Sequence, residues 1–168
     1  SNPSNSSYTN QMSEINYWLM KSEPVAYDIE QLKKEITTLW DGIRNYQARN
    51  YMRKMNVGDQ VFFYHSNCKS PEIVGMMEVT KTRLIDPTQF DSNSKYYDIK
   101  TSNENPRWDC VEVKYVGKFN QPISLEELKK IYTPEELIVV RKGNRLSIIP
   151  ISVETSSDLI KRLGNHIK

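Results

Sequence analysis

Apolar positions along the chain change their spacing several times, and each change marks an element. Tyr17-Trp18-Leu19-Met20 is a short apolar run closing near Pro24, and it predicts a first strand. Asp28, with Gln31 three residues on, reads as a helix cap. Ile29, Leu32 and Ile36 follow at helical spacing, so a helix is predicted over 29–37. Ala48, Met52 and Met55 recur at helical intervals before Gly58 and predict a second helix over 46–56, with Asn45, Arg49 and Arg53 along an adjacent polar face. From Gly58 the pattern turns to strands, at Gln60–His65, 73–79 and 109–116; in the last, Val111, Val113 and Tyr115 alternate with Glu112 and Lys114. Ser124-Leu125-Glu126-Glu127 opens a short helix to about Ile131, and Thr133-Pro134-Glu135-Glu136 is a further start signal. A last strand is predicted over 145–153, at an edge or kinked because Pro150 has no N–H for a ladder, and Leu159, Ile160 and Leu163 mark a terminal helix.

Strands with helices inserted at irregular intervals predict an α+β domain or a partly open barrel rather than a doubly wound parallel sheet. The Ser/Asn-rich stretch 1–14 has little to bury and is expected as an unstructured tail or processing remnant, leaving one domain over 15–168. A mean hydropathy of −0.66 and the lack of any apolar run near 20 residues exclude a transmembrane helix. No charged segment followed by an apolar stretch opens the chain, and two cysteines are too few for a disulfide framework. Reduced thiols and a protein that is not secreted are the expectation.

Charge and aromatic content sharpen the picture. Twenty-three Lys plus Arg against 21 Asp plus Glu leave a net +2, which argues against a polybasic coating protein but not against a local basic site. The segment 41–54 carries four basic residues (Arg44, Arg49, Arg53, Lys54) and one acidic, and 141–168 carries six basic and two acidic. Ten Tyr, three Trp and four Phe supply rings that serve a core or a binding pocket equally well. His65 and Cys68, with only Cys110 and His166 besides, offer no paired metal-ligand spacing, so no metal or cofactor is expected. No Walker loop, G-x-S-x-G or G-x-G-x-x-G occurs. The richest constellation is Trp40-Asp41-Gly42-Ile43-Arg44-Asn45-Tyr46-Gln47-Ala48-Arg49-Asn50, which leads into a helix. Two readings stand for it. Either Trp40 and Tyr46 are core and the arginines solvate a helix, or the rings stack on bases while the guanidiniums and the helix N-terminus hold phosphate. Lys21-Ser22-Glu23-Pro24 and Tyr64-His65-Ser66-Asn67 are polar strand ends where a pocket mouth could sit.

Taken together, Trp18-Leu19-Met20-Lys21-Ser22-Glu23-Pro24, the Trp40–Asn50 run and Phe62-Phe63-Tyr64-His65-Ser66-Asn67-Cys68 resemble the EVE domain family, and within it the thymocyte nuclear protein group. Thr88-Gln89-Phe90, Tyr97-Asp98, Asn105-Pro106-Arg107-Trp108 and Arg145-Leu146-Ser147-Ile148 extend the likeness in order, over nearly everything from Tyr17 to Pro150. Ile43 stands where Val is common in the family, a difference of one carbon.

The resemblance implies a PUA-like fold, a twisted pseudo-barrel of about six strands with surrounding helices, and a non-catalytic module that reads a modified base. Proposed ligands are 5-methylcytosine or its oxidised forms in DNA, or a modified RNA base. On that reading the base pocket comprises Trp18, Lys21, Ser22, Glu23, Pro24, Trp40, Asp41, Asn45, Tyr46, Tyr64, His65 and Ser66, with Trp40 and Tyr64 as stacking walls. Arg44, Arg49, Arg53, Lys54 and Arg145 would hold phosphates, which position a strand without reading its sequence. The expected partner is nucleic acid, with no membrane, no cofactor and a monomeric protein. Its expected compartment is the nucleus in a eukaryote and the cytoplasm in a bacterium. The rival classes are a PUA-type RNA-binding module, a methyl-lysine cage built from the same rings, and an enzyme on a modified nucleotide using His65 or Glu23 as base.

Overall fold

The computed structural model describes residues 14–164 and 166–167. The tail expected over 1–14 therefore lies outside the described residues except for Glu14, as do Asn165 and Lys168. Strand β1 (Tyr17–Ser22) runs parallel to β3 (Gln60–His65), with Trp18 opposite Val61 and Ser22 opposite His65. On its other side it pairs antiparallel with β6 (Ile148–Ile151), Met20 facing Ile148. The sheet continues from β3 through β4 (Glu72–Ile85) and β5 (Asp109–Ser124) to β2 (Thr37–Trp40), where Trp40 faces Val111. A two-residue strand β7 (His166–Ile167) adds to the far part of β5. Helices α1 (Ile29–Glu35) and α2 (Tyr46–Arg53) lie in the crossover that a parallel β1–β3 pair requires. Helices α3 (Leu125–Ile131) and α4 (Val153–Leu163) follow β5 and β6. The expected α+β architecture with about six principal strands is present, as an open path β2-β5-β4-β3-β1-β6.

Two long strands bend this sheet. The β4–β5 ladder shifts register at Ile73/Gly75, Met76/Met77, Val79/Lys81 and Lys81/Leu84, and such bulges increase local twist and re-aim the chain. At Gly75 the strands and α1 approach so closely that a Cβ would lie 2.1 Å from Ile29 Cδ1 and 2.4 Å from the Gly117 carbonyl oxygen, so only glycine fits. Alternation along β1 then sorts two cores. Trp18 and Met20 join Trp40, Phe63, Val111 and Ile148 on the face covered by α1 and α2. Leu19 joins Phe62, Ile73, Ile149, Leu128 and Leu159 on the face covered by α3 and α4. Trp40 from β2 and Ile148 from β6 share one cluster, so the two unpaired edges of the sheet converge over the first core.

Several boundaries differ from the sequence reading for local reasons. The helix predicted over 29–37 stops at Glu35. Ile36 takes φ 70°, ψ −52°, its N–H bonds to the Leu32 carbonyl, and Thr37 begins a strand that the apolar spacing does not predict. A β-branched residue at positive φ is a stop with no sequence signature. At Thr133 the capping box forms, Thr133 N–H donating to Glu136 Oε1 at 2.9 Å and Glu136 N–H to Thr133 Oγ1 at 3.2 Å. No α-helix grows from it: Leu137, Val139 and Val140 turn into the second core through a 3₁₀ segment at Ile138–Val140. The last strand is shorter than 145–153, because Ser152 caps α4 by accepting from Thr155 N–H at 3.1 Å.

Candidate functional site

A cavity of about 640 Å³ opens where the sheet fails to close. Its walls come from the end of β1 (Lys21, Ser22) and the turn after it (Glu23, Ala26, Tyr27), from β2 and its exit (Thr38 to Arg44), from Lys95 and Tyr96 of a long loop, and from Ser147 just before β6. Its size falls in the range of ligand pockets, and it carries several rings with a few polar groups, the usual pocket composition.

Trp40 forms the floor. Its indole is only 7% exposed and sits edge-on to Phe63 (5.5 Å, 87°) and Tyr27 (6.2 Å, 88°). The Tyr27 ring is fixed in turn, its hydroxyl donating to Glu35 Oε1 at 2.7 Å. The turn bearing it is braced by Ser22, whose hydroxyl donates to the Tyr27 carbonyl at 2.5 Å, and by Asn67, whose amide donates to Glu23 Oε1 at 3.0 Å. Strand alternation puts Ser22 on the side of Met20 and Lys21 on the side of Leu19. Lys21 closes the wall through its backbone, N–H to the Ser147 carbonyl at 2.9 Å, and burial lowers the pKa of its ammonium.

Behind the wall lies a polar node centred on Asp86, which is fully buried. The Asp86 carboxylate accepts from Gly42 N–H (2.8 Å), from Arg44 Nη1 (3.0 Å), and from the backbone N–H and hydroxyl of Thr88 (2.8 and 2.6 Å). Arg44 completes its five N–H donors on the Ile43 carbonyl, the Tyr96 carbonyl (twice) and Thr88 Oγ1. Its guanidinium also stands 5.7 Å from the centre of the Tyr96 ring and 5.3 Å from that of Trp108. Gly42 has φ +79°, and a Cβ there would meet the Tyr96 ring at 2.8 Å. The loop carrying Tyr96 folds around Gln89, also fully buried, whose amide donates to the Asp86 and Trp108 carbonyls, both at 2.7 Å. Its Oε1 accepts from Thr101 Oγ1 and from the N–H groups of Arg107 and Trp108. Asp98 holds the Trp108 indole N–H at 2.7 Å.

Of the twelve residues expected around a base, Lys21, Ser22, Glu23, Trp40 and Asp41 border the cavity. Arg44, expected on a phosphate, borders it too, with all its donors committed to the protein. The others lie elsewhere. Trp18 is core, its indole N–H on Asp59 at 2.9 Å. Pro24 sits within the braced turn, and Asn45 caps α2 by accepting from Ala48 N–H at 2.9 Å. Tyr46 stacks on Trp108 at 4.7 Å. Tyr64 belongs to the second core, and burial pushes its phenol up to about 12. His65 accepts from Ile29 N–H at 3.3 Å, its pKa lowered by burial, and the Ser66 N–H caps the end of β1 on the Ser22 carbonyl at 2.9 Å. Among the expected phosphate ligands, Arg53 makes a two-point pair with Asp109, Arg49 donates to the Arg107 carbonyl while covering Tyr46, and Lys54 and Arg145 are exposed. Tyr27, Thr38, Gly42, Lys95, Tyr96 and Ser147 line the cavity without having been singled out. Gly42 and Ser147 stood inside quoted motifs, and Tyr96 stood one residue before Tyr97-Asp98.

The model of the EVE domain matches residues 16–162. Human thymocyte nuclear protein 1 is 42% identical over 156 residues, covering 82% of this chain and 69% of the human one. A solved protein of Pseudomonas syringae superposes with a TM-score of 0.84 at 40% identity, covering 88% of this chain and 99% of that one. Human THYN1 protein, solved in complex with 5-methylcytosine containing DNA, does so at 0.84 and 39% identity, covering 90% and 99%. A YTH domain of Zygosaccharomyces rouxii, at 0.53 and 13% identity, shares the fold alone, and the architecture is accordingly α+β and PUA-like. On this breadth of match the chain belongs to the EVE domain family.

Proposed function

We propose that the chain is a non-catalytic reader of nucleic acid that takes one modified base, 5-methylcytosine or an oxidised form of it, into the cavity above Trp40. The observation that carries the reading is the cavity itself, with the rings of Tyr27, Trp40 and Tyr96 among hydroxyl, carboxylate and ammonium groups. The human relative solved with 5-methylcytosine containing DNA supports it. Extrusion of a base costs a few kcal/mol, and stacking against rings returns about 1–3 kcal/mol, so edge hydrogen bonds supply the remainder. Arg49, Arg53, Lys54 and Arg145 hold flanking phosphates, while Arg44 keeps the Tyr96 wall in place. The module acts as a monomer over 15–168, without cofactor, in the nucleus where the host is a eukaryote and in the cytoplasm where it is a bacterium.

The test is fluorescence anisotropy with matched oligonucleotides, DNA and RNA, carrying one cytosine, 5-methylcytosine or 5-hydroxymethylcytosine. The expected result is tighter binding to a modified DNA base than to cytosine in the same sequence. Equal affinity across the panel would overturn the reading, and preference for the RNA series would redirect it to RNA.

A further inference from the structure

A pocket that recognises only the methyl group of 5-methylcytosine has a specificity problem. Burying one methyl is worth about fourfold in affinity. Thymine carries the same methyl at the same ring position, so methyl recognition alone accepts thymine equally. The two bases differ on the adjoining edge, where cytosine presents an amine that donates and thymine a carbonyl that accepts. Discrimination therefore needs an acceptor without a donor at the place where that edge comes to rest.

Asp41 has those properties. It follows Trp40 directly and lines the cavity. Its position is fixed from both sides: Trp40 is anchored in β2 and in the first core, and the Gly42 N–H is clamped on Asp86. Its carboxylate forms no ion pair and no hydrogen bond to another residue among the described residues, since Asp86 takes the nearby Arg44; only its own backbone N–H and the Arg44 charge favour its ionised form. Asp41 is exposed to the cavity mouth, and desolvation first, with the Asp86 charge second, raises its pKa. An ionised carboxylate is an acceptor only.

We infer that Asp41 is the specificity-determining residue of the site, accepting a hydrogen bond from the exocyclic amine of a cytosine-type base and repelling the carbonyl of thymine. The inference rests on the reading of the cavity as a base pocket. An amine lying on the carboxylate gains a charge-assisted hydrogen bond. A thymine in the same pose sets one set of lone pairs against another and leaves a desolvated charge without a partner.

The experiment compares anisotropy of the wild type, Asp41→Asn and Asp41→Ala on oligonucleotides that differ only in a central 5-methylcytosine, cytosine or thymine. The wild type is expected to favour 5-methylcytosine over thymine by roughly tenfold or more. Asp41→Asn, whose amide can turn its N–H toward a carbonyl, is expected to bring that ratio to within about threefold, partly through tighter thymine binding. Asp41→Ala lowers affinity for 5-methylcytosine without gaining thymine. Circular dichroism of both variants is expected to match the wild type. A wild-type ratio preserved in Asp41→Asn overturns the role of Asp41 and leaves the base pocket standing. Failure of the wild type to prefer 5-methylcytosine over cytosine overturns the pocket reading as well.

Discussion

Two aspartates are almost wholly buried in this protein, and they solve the same problem differently. Asp59, 1% exposed, lies under the start of β1 and accepts from the Trp18 indole (2.9 Å) and from the backbone N–H groups of Asn16 (3.2 Å) and Asn56 (2.9 Å). Asp86, fully buried, adds a guanidinium to its backbone and hydroxyl donors. The first ties strand to turn with uncharged donors, remote from the cavity lining. The second holds Gly42, Arg44 and Thr88 together and so sets the cavity wall. A buried carboxylate with three good donors is a satisfied structural joint. One paired with a cation whose remaining donors organise a loop is a scaffold for a site.

Breaking the second node produces the largest effect. Asp86→Ala leaves the Arg44 guanidinium, whose side chain is only 22% exposed, without its counter-charge. Losing one partner of a buried pair costs about 3–5 kcal/mol, to be read in urea denaturation, and base binding is expected to vanish with it. Asp59→Asn keeps one acceptor and loses the charge. It is expected to cost about 1–3 kcal/mol of stability while leaving affinity for the modified oligonucleotide unchanged in anisotropy. Equal loss of binding in the two variants would dissolve the distinction between joint and scaffold.

Trp40 belongs to both structure and site. Because the indole is 7% exposed and part of the first core, Trp40→Ala removes core volume as well as a stacking surface, at about 3–5 kcal/mol of stability. Trp40→Phe keeps a ring there and is the sharper probe. It is expected to weaken binding to modified and plain bases by about 1 kcal/mol or less while holding most of the stability, since a smaller π-face remains. The smallest effect on the fold belongs to the exposed basic face. Arg53 pairs with Asp109 near solvent, a contact worth about 0–1 kcal/mol. Arg49→Ala together with Arg53→Ala is expected to weaken all oligonucleotides alike and to reduce the slope of log affinity against log salt by about 0.7–0.9 per phosphate lost. An unchanged slope would move the phosphate track to another face.

Legibility in the sequence follows the physics of each signal. Gln60–His65 has the bounds that its apolar run predicts, and Asp28 and Ser124 cap their helices as their spacing requires, accepting from Gln31 and Glu127 N–H. These are local signals, complete within a few residues. The strand Thr37–Trp40 is hidden because an isoleucine at positive φ, rather than glycine or proline, ends the helix before it. The cavity divides in the same way. Lys21 to Glu23 and Trp40 to Arg44 are continuous motifs and could be read directly. Lys95 and Tyr96 reach the wall only because Gln89, Asp86 and Asp98 fold a loop through long-range hydrogen bonds, which no spacing encodes. Tyr64 misleads because a polar strand end resembles a pocket mouth, while the alternation of β3 turns its ring into the second core beside Phe62.

The most direct test of the central claim uses the indole groups as reporters. In a ¹⁵N–¹H correlation spectrum each indole N–H gives its own signal, and mutation assigns those of Trp18, Trp40 and Trp108. Titration with an oligonucleotide carrying one 5-methylcytosine is expected to shift Trp40, with the amides of Gly42 and Ser147, and to leave Trp18 on Asp59 unmoved. The same oligonucleotide with cytosine is expected to shift these signals less at equal concentration. Shifts that spare Trp40, or identical shifts with both oligonucleotides, would contradict the assignment of this cavity to a modified base.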